Sequence, residues 1–191
     1  MKKYNGNQLK KLFITLLVSA ISSMTLANIN SLECKNNYPL FNKVFSETTE
    51  ITKKNDIKDY LAHMKKYNYS SLFDKNHPNK IFNGYKWQSI NELEQDAQAL
   101  EEGGWTPPTS EEFLPIKENF ILSKKEICVI PYLYRNVDEK AEIESSYVTD
   151  IIWIRDLDST IWRYLDIEDE SNKYLNEFIP DFPKNIKLIS Q

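Results

Sequence analysis

The spacing of apolar residues changes once along this chain, and that change constrains the fold more than any other feature. In the N-terminal half the apolar side chains recur every three or four positions, which is typical of helices packed along one face. From about residue 119 they alternate with polar residues, which predicts strands. Helices followed by a run of strands favour an α+β fold in which helices cover an antiparallel sheet.

Three helices are predicted before the strands. The first follows Pro39, and the second begins at Asn55 or Asp56. The third begins at a capping box over 89–92 and ends at Gly103-Gly104. The stripes of the first two helices consist of Leu40, Phe41, Val44 and Phe45, and of Ile57, Tyr60, Leu61, Met64 and Tyr67.

Four strands and a closing helix are predicted in the second half. The strands cover 119–122, 126–135, 147–155 and 160–167, and a short helix over 171–179 precedes a tail that packs on the body. A four-residue loop, 156–159, would pair Arg155 with Thr160. That register places Trp153 opposite Trp162, Ile151 opposite Tyr164, Ile154 opposite Ile161 and Ile152 opposite Arg163.

Residues 1–27 have the composition of a secretory signal peptide. Four lysines lie within the first eleven residues, an uncharged apolar run covers 12–24, and Thr25-Leu26-Ala27 supplies the small residues that signal peptidase recognises. The run is short for a membrane span, so a retained anchor is the less favoured alternative. The sequence therefore predicts cleavage after Ala27 and a single domain over 28–191, located in the bacterial periplasm or secreted.

The predicted mature chain is strongly acidic. Of the 24 basic residues in the whole chain, four lie in residues 1–27, which contain none of the 28 acidic residues. The mature chain thus keeps 20 basic residues and a net charge of −8, compared with −4 for the whole chain. Nucleic acids and anionic membranes are bound through basic surfaces. The charge argues against both as partners and permits a basic protein partner.

The two cysteines, Cys34 and Cys128, form a single pair. In an oxidising compartment such a pair has one intramolecular connectivity, so we predict a Cys34–Cys128 disulfide. It would close a loop of about 94 residues and stabilise the fold by ~4 kcal/mol in the chain-entropy model. The alternative is a pair of free thiols with one acting as a nucleophile, which no neighbouring histidine or surrounding signature supports.

The order of elements resembles the nuclear transport factor 2-like superfamily. A helical pair, a connecting segment and strands ending in Ile151-Ile152-Trp153-Ile154 and Ile161-Trp162-Arg163-Tyr164 carry the resemblance, which covers residues 36–170. The segment 178–188 is similar to the tails of secreted bacterial members, including immunity-type proteins. The resemblance implies N-terminal helices packed on a curved antiparallel sheet, a cone, and pairing of two copies through their sheets. A cystatin-like helix-on-sheet fold is the alternative.

Asp150 is the one acidic residue whose predicted position suggests a functional role. It shares a predicted strand face with Val148, Ile152 and Ile154. In enzymatic relatives of the superfamily, a carboxylate inside the cone can act as acid or base. The alternative, which the predicted register favours, is an ion pair with Arg163 lying diagonally across the hairpin.

The common catalytic motifs are absent from the sequence. The mature chain has three glycines, too few for a phosphate-binding loop, and neither Gly-x-Ser-x-Gly nor His-Glu-x-x-His occurs. Its two histidines, His63 and His77, are isolated, which is a poor basis for a metal site. We therefore predict no catalytic residue, no metal ligand and no cofactor.

Aromatic side chains and the Asp150–Arg163 pair supply the candidate binding residues. Aromatics at strand spacing usually form the core, but they can also line a cavity or a protein-binding patch. Trp105, in a Gly-Gly-Trp-Thr-Pro-Pro loop, is the one most expected at the surface. The candidate residues are Trp105, Tyr132, Tyr134, Asp150, Trp153, Trp162, Arg163 and Tyr164.

Three functions remain open. The missing catalytic motifs, the acidic charge, the predicted disulfide and the resemblance favour a non-catalytic periplasmic binding or inhibitor protein, such as an immunity protein against a secreted toxin. A small-molecule-binding protein of the nuclear transport factor 2-like fold is the alternative, and it predicts a pocket lined by strand aromatics. An enzyme that uses Asp150 with a tyrosine or His63 is the least favoured.

Overall fold

The computed structural model describes residues 32–54, 56–73, 75–83, 86–102, 108–138, 143–166 and 172–189. The second of the chain's two units begins at Glu33 and is compact. The second unit combines helices with an antiparallel sheet, so the α+β class is as predicted. The predicted signal peptide, the Gly103-Gly104 helix end and Trp105 lie outside the described residues.

Two consecutive helices, α1 (Tyr38–Lys53) and α2 (Ile57–Tyr67), pack on one face of the sheet. A 3-10 turn over Cys34–Asn37 precedes α1. Positions three and four apart on α1 bury its apolar stripe, which consists of Phe41, Val44 and Phe45.

The start of α2 is set by a side-chain cap. Asp56 accepts a hydrogen bond from the Asp59 backbone N–H at 3.0 Å, which satisfies a donor that has no partner within the helix. Of the two caps that the sequence allows, the structure uses Asp56. Asn55 lies outside the described residues.

A hairpin and a third helix follow. β1 (Lys80–Asn83) pairs antiparallel with β2 (Lys86–Ser89), and α3 (Ile90–Glu102) begins directly after β2. The predicted capping box is confirmed, because the Ser89 hydroxyl and N–H donate to Glu92 Oε2 at 2.7 Å and the Glu92 N–H donates back at 3.3 Å.

Five strands form the main sheet, with two 14-residue strands, β5 and β6, at its centre. β3 and β4 pair with successive parts of one edge of β5, β6 pairs with its other edge, and β7 pairs with β6. All four pairings are antiparallel. The strands are β3 (Ser110–Phe113), β4 (Glu118–Leu122), β5 (Lys125–Asp138), β6 (Ile143–Asp156) and β7 (Arg163–Asp166).

The predicted register of the last hairpin is wrong by two residues. Trp153 lies opposite Tyr164 rather than Trp162, and Ile154 lies opposite Arg163. Because an even shift preserves the alternation of faces, each of these side chains stays on its predicted side of the sheet.

The register shifts because the connection between β6 and β7 is longer than the sequence suggests. It covers six residues, 157–162, rather than four. The Arg155 guanidinium donates to the Ser159 carbonyl at 3.2 Å and lies over the Trp162 ring at 5.4 Å from its centroid. These contacts keep Trp162 in the connection, so β7 begins only at residue 163.

Apolar side chains cover both faces of the sheet. On one face, the helix-side core joins α1 and α2 to the sheet residues Cys128, Ile130, Tyr132, Ile151, Trp153 and Tyr164. On the other, the tail-side core joins Ile127, Val129, Ile152, Ile154 and Leu165 to Tyr69, Phe82 and the C-terminal segment. That segment comprises α4 (Asn172–Phe178) and a tail whose Ile179 and Phe182 are buried, as predicted.

The predicted disulfide joins Cys34, ahead of α1, to Cys128 on β5, with Cα atoms 6.1 Å apart. Nearby, the fully buried Glu126 accepts hydrogen bonds from the N–H groups of Glu33 and Cys34 at 2.7 and 2.9 Å. Its second oxygen accepts from Arg155 at 2.7 Å. A covalent bond and a buried ion pair therefore hold the start of the helical layer to the same end of the sheet.

Candidate functional site

Four of the candidate aromatics lie in the helix-side core. The ring of Trp153 stacks on Phe41 with centroids 4.0 Å apart, and Tyr132 lies 4.6 Å from Phe45. All four are at most 5% exposed, so their rings build the contact between α1 and the sheet. They are Tyr132, Trp153, Trp162 and Tyr164.

The same face of the sheet becomes polar along its length. Cys128, which forms the disulfide, and Trp153, which lies opposite it, belong to an apolar region of this face. Because side chains alternate along a strand, Tyr132 and Tyr134 of β5 extend this face in the other direction, beside Thr149 of β6.

At the end of this sheet face that lies away from the disulfide, six side chains carry phenols or carboxylates. We call them the phenol–carboxylate cluster. They come from one helix and three strands, namely α2, β3, β5 and β7. Tyr132 and Tyr164 are buried, while the other four are partly exposed. The cluster consists of Tyr60, Glu111, Tyr132, Tyr134, Tyr164 and Asp166.

Strand register brings the sheet members of the cluster together. Glu111 lies directly opposite Tyr134, and Tyr132 lies directly opposite Thr149. Asp166 lies opposite Ile151, two residues from Thr149 on the same face, so Asp166 and Thr149 are diagonal neighbours.

Glu111 is held by two hydroxyl groups. Its Oε2 accepts hydrogen bonds from Thr49 Oγ1 at 2.7 Å and from the Tyr132 hydroxyl at 2.9 Å. Among the described residues, Glu111 forms no ion pair with a basic side chain. Within that part of the chain, the two hydroxyl groups are the side chains that solvate its charge.

The four phenols of the cluster stay neutral at physiological pH. Burial, and then the charge of Asp166, raise the pKa of Tyr60 to about 12. Burial also raises the pKa of Tyr132, with Glu111 and Asp166 adding to it, and that of Tyr134, where Asp166 contributes next. The pKa of Tyr164 is raised by burial, Tyr60 and Asp166. Asp166 thus contributes to the raised pKa of each of the four phenols.

Thr149 has a buried hydroxyl without a hydrogen-bond partner. The residue is 3% exposed, and its Oγ1 contacts no donor or acceptor within hydrogen-bond distance. It lies opposite Tyr132 and diagonal to Asp166, which places the unpaired hydroxyl at the inner end of the cluster. Buried polar groups in folded proteins are nearly always paired, and Thr149 Oγ1 is one of several buried side-chain atoms in the described residues that have no hydrogen-bond partner.

The two histidines have separate structural surroundings. His63 Nε2 lies 2.8 Å from Thr48 Oγ1, and burial lowers the pKa of the imidazole. His77 stacks on Trp87 at 3.8 Å and lies 2.9 Å from Glu177. Within the described ranges, no three or more His, Cys, Asp or Glu side chains are grouped so that they could hold a metal ion.

Asp150 has a different partner from the one predicted. Its Oδ2 accepts hydrogen bonds from Lys117 Nζ and from the Ile189 N–H, both at 2.6 Å. The predicted ion pair with Arg163 is wrong, because Arg163 lies opposite Ile154, four residues along β6. Asp150 is completely buried and lies on the face opposite the cluster, where it anchors the tail.

The sequence indicated half of the cluster. Tyr132, Tyr134 and Tyr164 belong to the candidate set because aromatics at strand spacing stand out. Tyr60 belongs to the predicted apolar stripe of the second helix, and Asp166 lies within the predicted strand 160–167, where nothing in the pattern marks it as a site residue. Glu111 was not singled out, because it reaches the cluster only through the pairing of β3 with β5.

Comparison of the chain with family models, with curated proteins and with solved structures finds no match. In the described part of the chain, no helix is both long enough and apolar enough to span a bilayer.

Proposed function

We propose that this protein is an exported, non-catalytic binding protein that holds a small molecule at the phenol–carboxylate cluster. The observation that carries the proposal is the Thr149 hydroxyl, which is buried and unpaired among polar side chains. Leaving such a group without a partner costs about 1–3 kcal/mol. Costs of this kind are expected at functional sites, where a ligand supplies the missing contact.

The position of the cluster favours a small ligand over a protein partner such as a secreted toxin. A protein partner binds mainly through exposed side chains, whereas Tyr132, Thr149 and Tyr164 are at most 5% exposed. Tyr60, Tyr134 and Asp166 are partly exposed. Buried polar groups next to partly exposed ones are typical of a small-molecule site.

A non-catalytic role agrees with how the reactive side chains are used. Asp150, the acid that the sequence singled out, is bonded to Lys117 and the tail. His63 is bonded to Thr48. In the described residues, neither lies in the arrangement of nucleophile, base and orienting group that acyl or phosphoryl transfer needs.

Two further features support export and the fold type. A buried disulfide is typical of proteins that fold in an oxidising compartment such as the periplasm. Two helices, α1 and α2, lie on the same sheet face, which favours a nuclear transport factor 2-like cone over a cystatin-like fold with its single helix.

The proposal is tested by protein-observed NMR against a library of small polar molecules that includes cations, anions and neutral compounds. We expect at least one member to shift the amide signals of Tyr132, Thr149 and Tyr164. The Thr149→Val variant, which has nearly the same shape but lacks the hydroxyl, should weaken that binding. The matched control is Thr160→Val, because Thr160 is exposed in the connection between β6 and β7.

The proposal would be contradicted if no library member shifted these signals. It would also be contradicted if every shift were as large in Thr149→Val as in the wild type.

A further inference from the structure

Glu126 is a buried carboxylate that the proposed binding function does not use. It lies on β5 two residues before Cys128, so the two side chains share one face of the sheet. Its Oε1 accepts hydrogen bonds from the N–H groups of Glu33 and Cys34, and its Oε2 lies 2.7 Å from both Nε and Nη2 of Arg155. Cys34 is therefore held at two neighbouring positions of one strand, by its N–H at Glu126 and by its side chain at Cys128.

The carboxylate caps the segment that precedes α1. The 3-10 turn over Cys34–Asn37 has no side-chain hydrogen bond from Glu33, the residue at its cap position. The first N–H groups of such a turn have no partner within it. Glu126, which is 92 residues from Cys34 along the chain, accepts from two N–H groups at this end. Hydrogen bonds to an ionised acceptor are roughly twice as strong as those between neutral groups, so this is a strong contact.

The two contacts of Cys34 depend differently on oxidation. The bond to Cys128 exists only in the oxidised protein, whereas the backbone N–H that donates to Glu126 is present in both redox states. Arg155 fixes the carboxylate from the other side and is itself bonded to the connection between β6 and β7. The acceptor is thus positioned by the sheet, and it can keep the Cys34 thiol beside that of Cys128 before the bond forms.

The separation of the two cysteines gives this positioning its importance. Bringing together two groups 94 residues apart has a large entropic cost in an unfolded chain. In a folded, reduced protein that entropy is already lost, and thiols held within reach of each other have a high effective concentration. A disulfide formed at a high effective concentration resists reduction by external thiols. Its resistance therefore depends on how firmly Cys34 is held in the reduced state.

We infer that Glu126 is a positioning residue for the Cys34–Cys128 disulfide, which together with Arg155 holds Cys34 beside Cys128 in the reduced protein and makes the bond resistant to reduction. When the bond forms, two S–H bonds break and one S–S bond is made. The two electrons and two protons pass to an external disulfide, which becomes a pair of thiols. The inference is independent of the proposed ligand site.

The first test measures the equilibrium between the protein and mixtures of reduced and oxidised dithiothreitol, with thiols counted by alkylation after acid quenching and denaturation. Glu126→Gln should lower the equilibrium constant for bond formation at least tenfold, which corresponds to about 30 mV in reduction potential. The matched control is Asp156→Asn, which makes the same change of carboxylate to amide in the neighbouring pair between β5 and β6. Asp156 pairs with Lys125, so the control should keep the wild-type constant.

A second variant separates positioning from loss of stability. Glu126→Gln leaves the Arg155 charge buried without its counter-ion and so destabilises the fold. The double variant Glu126→Leu with Arg155→Met removes both charges, and replacements of this kind are often neutral or stabilising. Because it also removes the acceptor for the Cys34 N–H, it should show a loss in the equilibrium constant of the same size.

Amide hydrogen exchange tests the position of the segment directly. In the protein with Cys34→Ala and Cys128→Ala, the amides of residues 33 and 34 should still exchange slowly. Adding Glu126→Leu with Arg155→Met should speed their exchange at least about tenfold, because the opening is local. The amides of Ile130 and Ile151, which lie opposite each other in the β5–β6 pair, should be unaffected.

An equilibrium constant that is unchanged in both Glu126 variants would overturn the inference, as would an equal loss in Asp156→Asn. Fast exchange at residues 33 and 34 as soon as the cysteines are replaced would also overturn it, because the disulfide alone would then hold the segment in place.

Discussion

Lys117 and Asp150 form an ion pair across the main sheet, with Nζ 2.6 Å from Oδ2. The Asp150 carboxylate is completely buried, and the lysine side chain is 27% exposed. Both groups also bind the tail, since Lys117 donates to the Lys187 carbonyl at 2.5 Å and the Ile189 N–H donates to Asp150. The pair therefore connects the segment between β3 and β4, the central strand β6 and the C-terminus.

Replacing Lys117 with Met should destabilise the protein by about 3 kcal/mol, because it leaves a buried carboxylate without its counter-ion. The free energy of unfolding in urea measures this loss. The matched control is Lys125→Met, since Lys125 pairs with the half-exposed Asp156 and surface pairs contribute about 1 kcal/mol or less. Equal losses in the two variants would show that burial of Asp150 does not set the strength of its pair.

The sequence pattern does not reveal the partner of Asp150. The Asp56 cap and the Ser89 capping box were predicted, because each joins residues three apart. The partner of Asp150 is 33 residues away, on a segment between strands that has no pattern of its own. A register error of two residues also placed Arg163 nearer to Asp150 than it is.

Removing the Cys34–Cys128 bond should lower the free energy of unfolding by about 4 kcal/mol. The bond closes a loop of 94 residues, which restricts the unfolded chain. Urea unfolding of the wild type with and without reductant measures the effect. The double variant Cys34→Ala with Cys128→Ala should be destabilised to a similar degree and should not respond to reductant. A wild type whose stability is unchanged by full reduction would contradict this prediction.

The disulfide could be predicted from the sequence, whereas the phenol–carboxylate cluster could not be predicted as a whole. Two cysteines allow one pairing, so the bond needed no knowledge of the fold. The cluster needs the pairing of β3 with β5 and of β7 with β6, which unites residues as distant as Tyr60 and Asp166. The predicted register would have put Asp166 opposite Thr149. Because the connection held by Arg155 is longer, Asp166 instead lies opposite Ile151, two residues further along β6.

Thr149→Val should stabilise the protein by about 1 kcal/mol, because it removes a buried hydroxyl that has no partner while keeping the shape of the side chain. A gain in stability combined with weaker ligand binding is the expected signature of a residue kept for function. Thermal and urea unfolding of the ligand-free protein measure the gain.

Thr48→Val is the matched control for this change. The Thr48 hydroxyl donates to the Val44 carbonyl at 3.0 Å and lies 2.8 Å from His63 Nε2, so its loss should destabilise the protein by about 1 kcal/mol. If Thr149→Val were as destabilising as Thr48→Val, the Thr149 hydroxyl would be bonded, and the argument for a ligand position beside it would fail.

His63 should make the stability of the protein fall as the pH is lowered below about 6.5. Burial lowers the pKa of His63 below its ordinary value of 6.5; the nearby Glu47 raises it and Lys66 lowers it further. The unfolded chain therefore binds a proton at a higher pH than the folded protein does. Stability due to the neutral imidazole is fully present above pH 6.5 and is lost as the pH falls toward the folded-state pKa.

Urea unfolding between about pH 8 and pH 5 measures the slope of this loss of stability, before most carboxylates titrate. His63→Gln, which can still bond to Thr48, should flatten the profile over this range, and an unchanged slope in that variant would contradict the assignment.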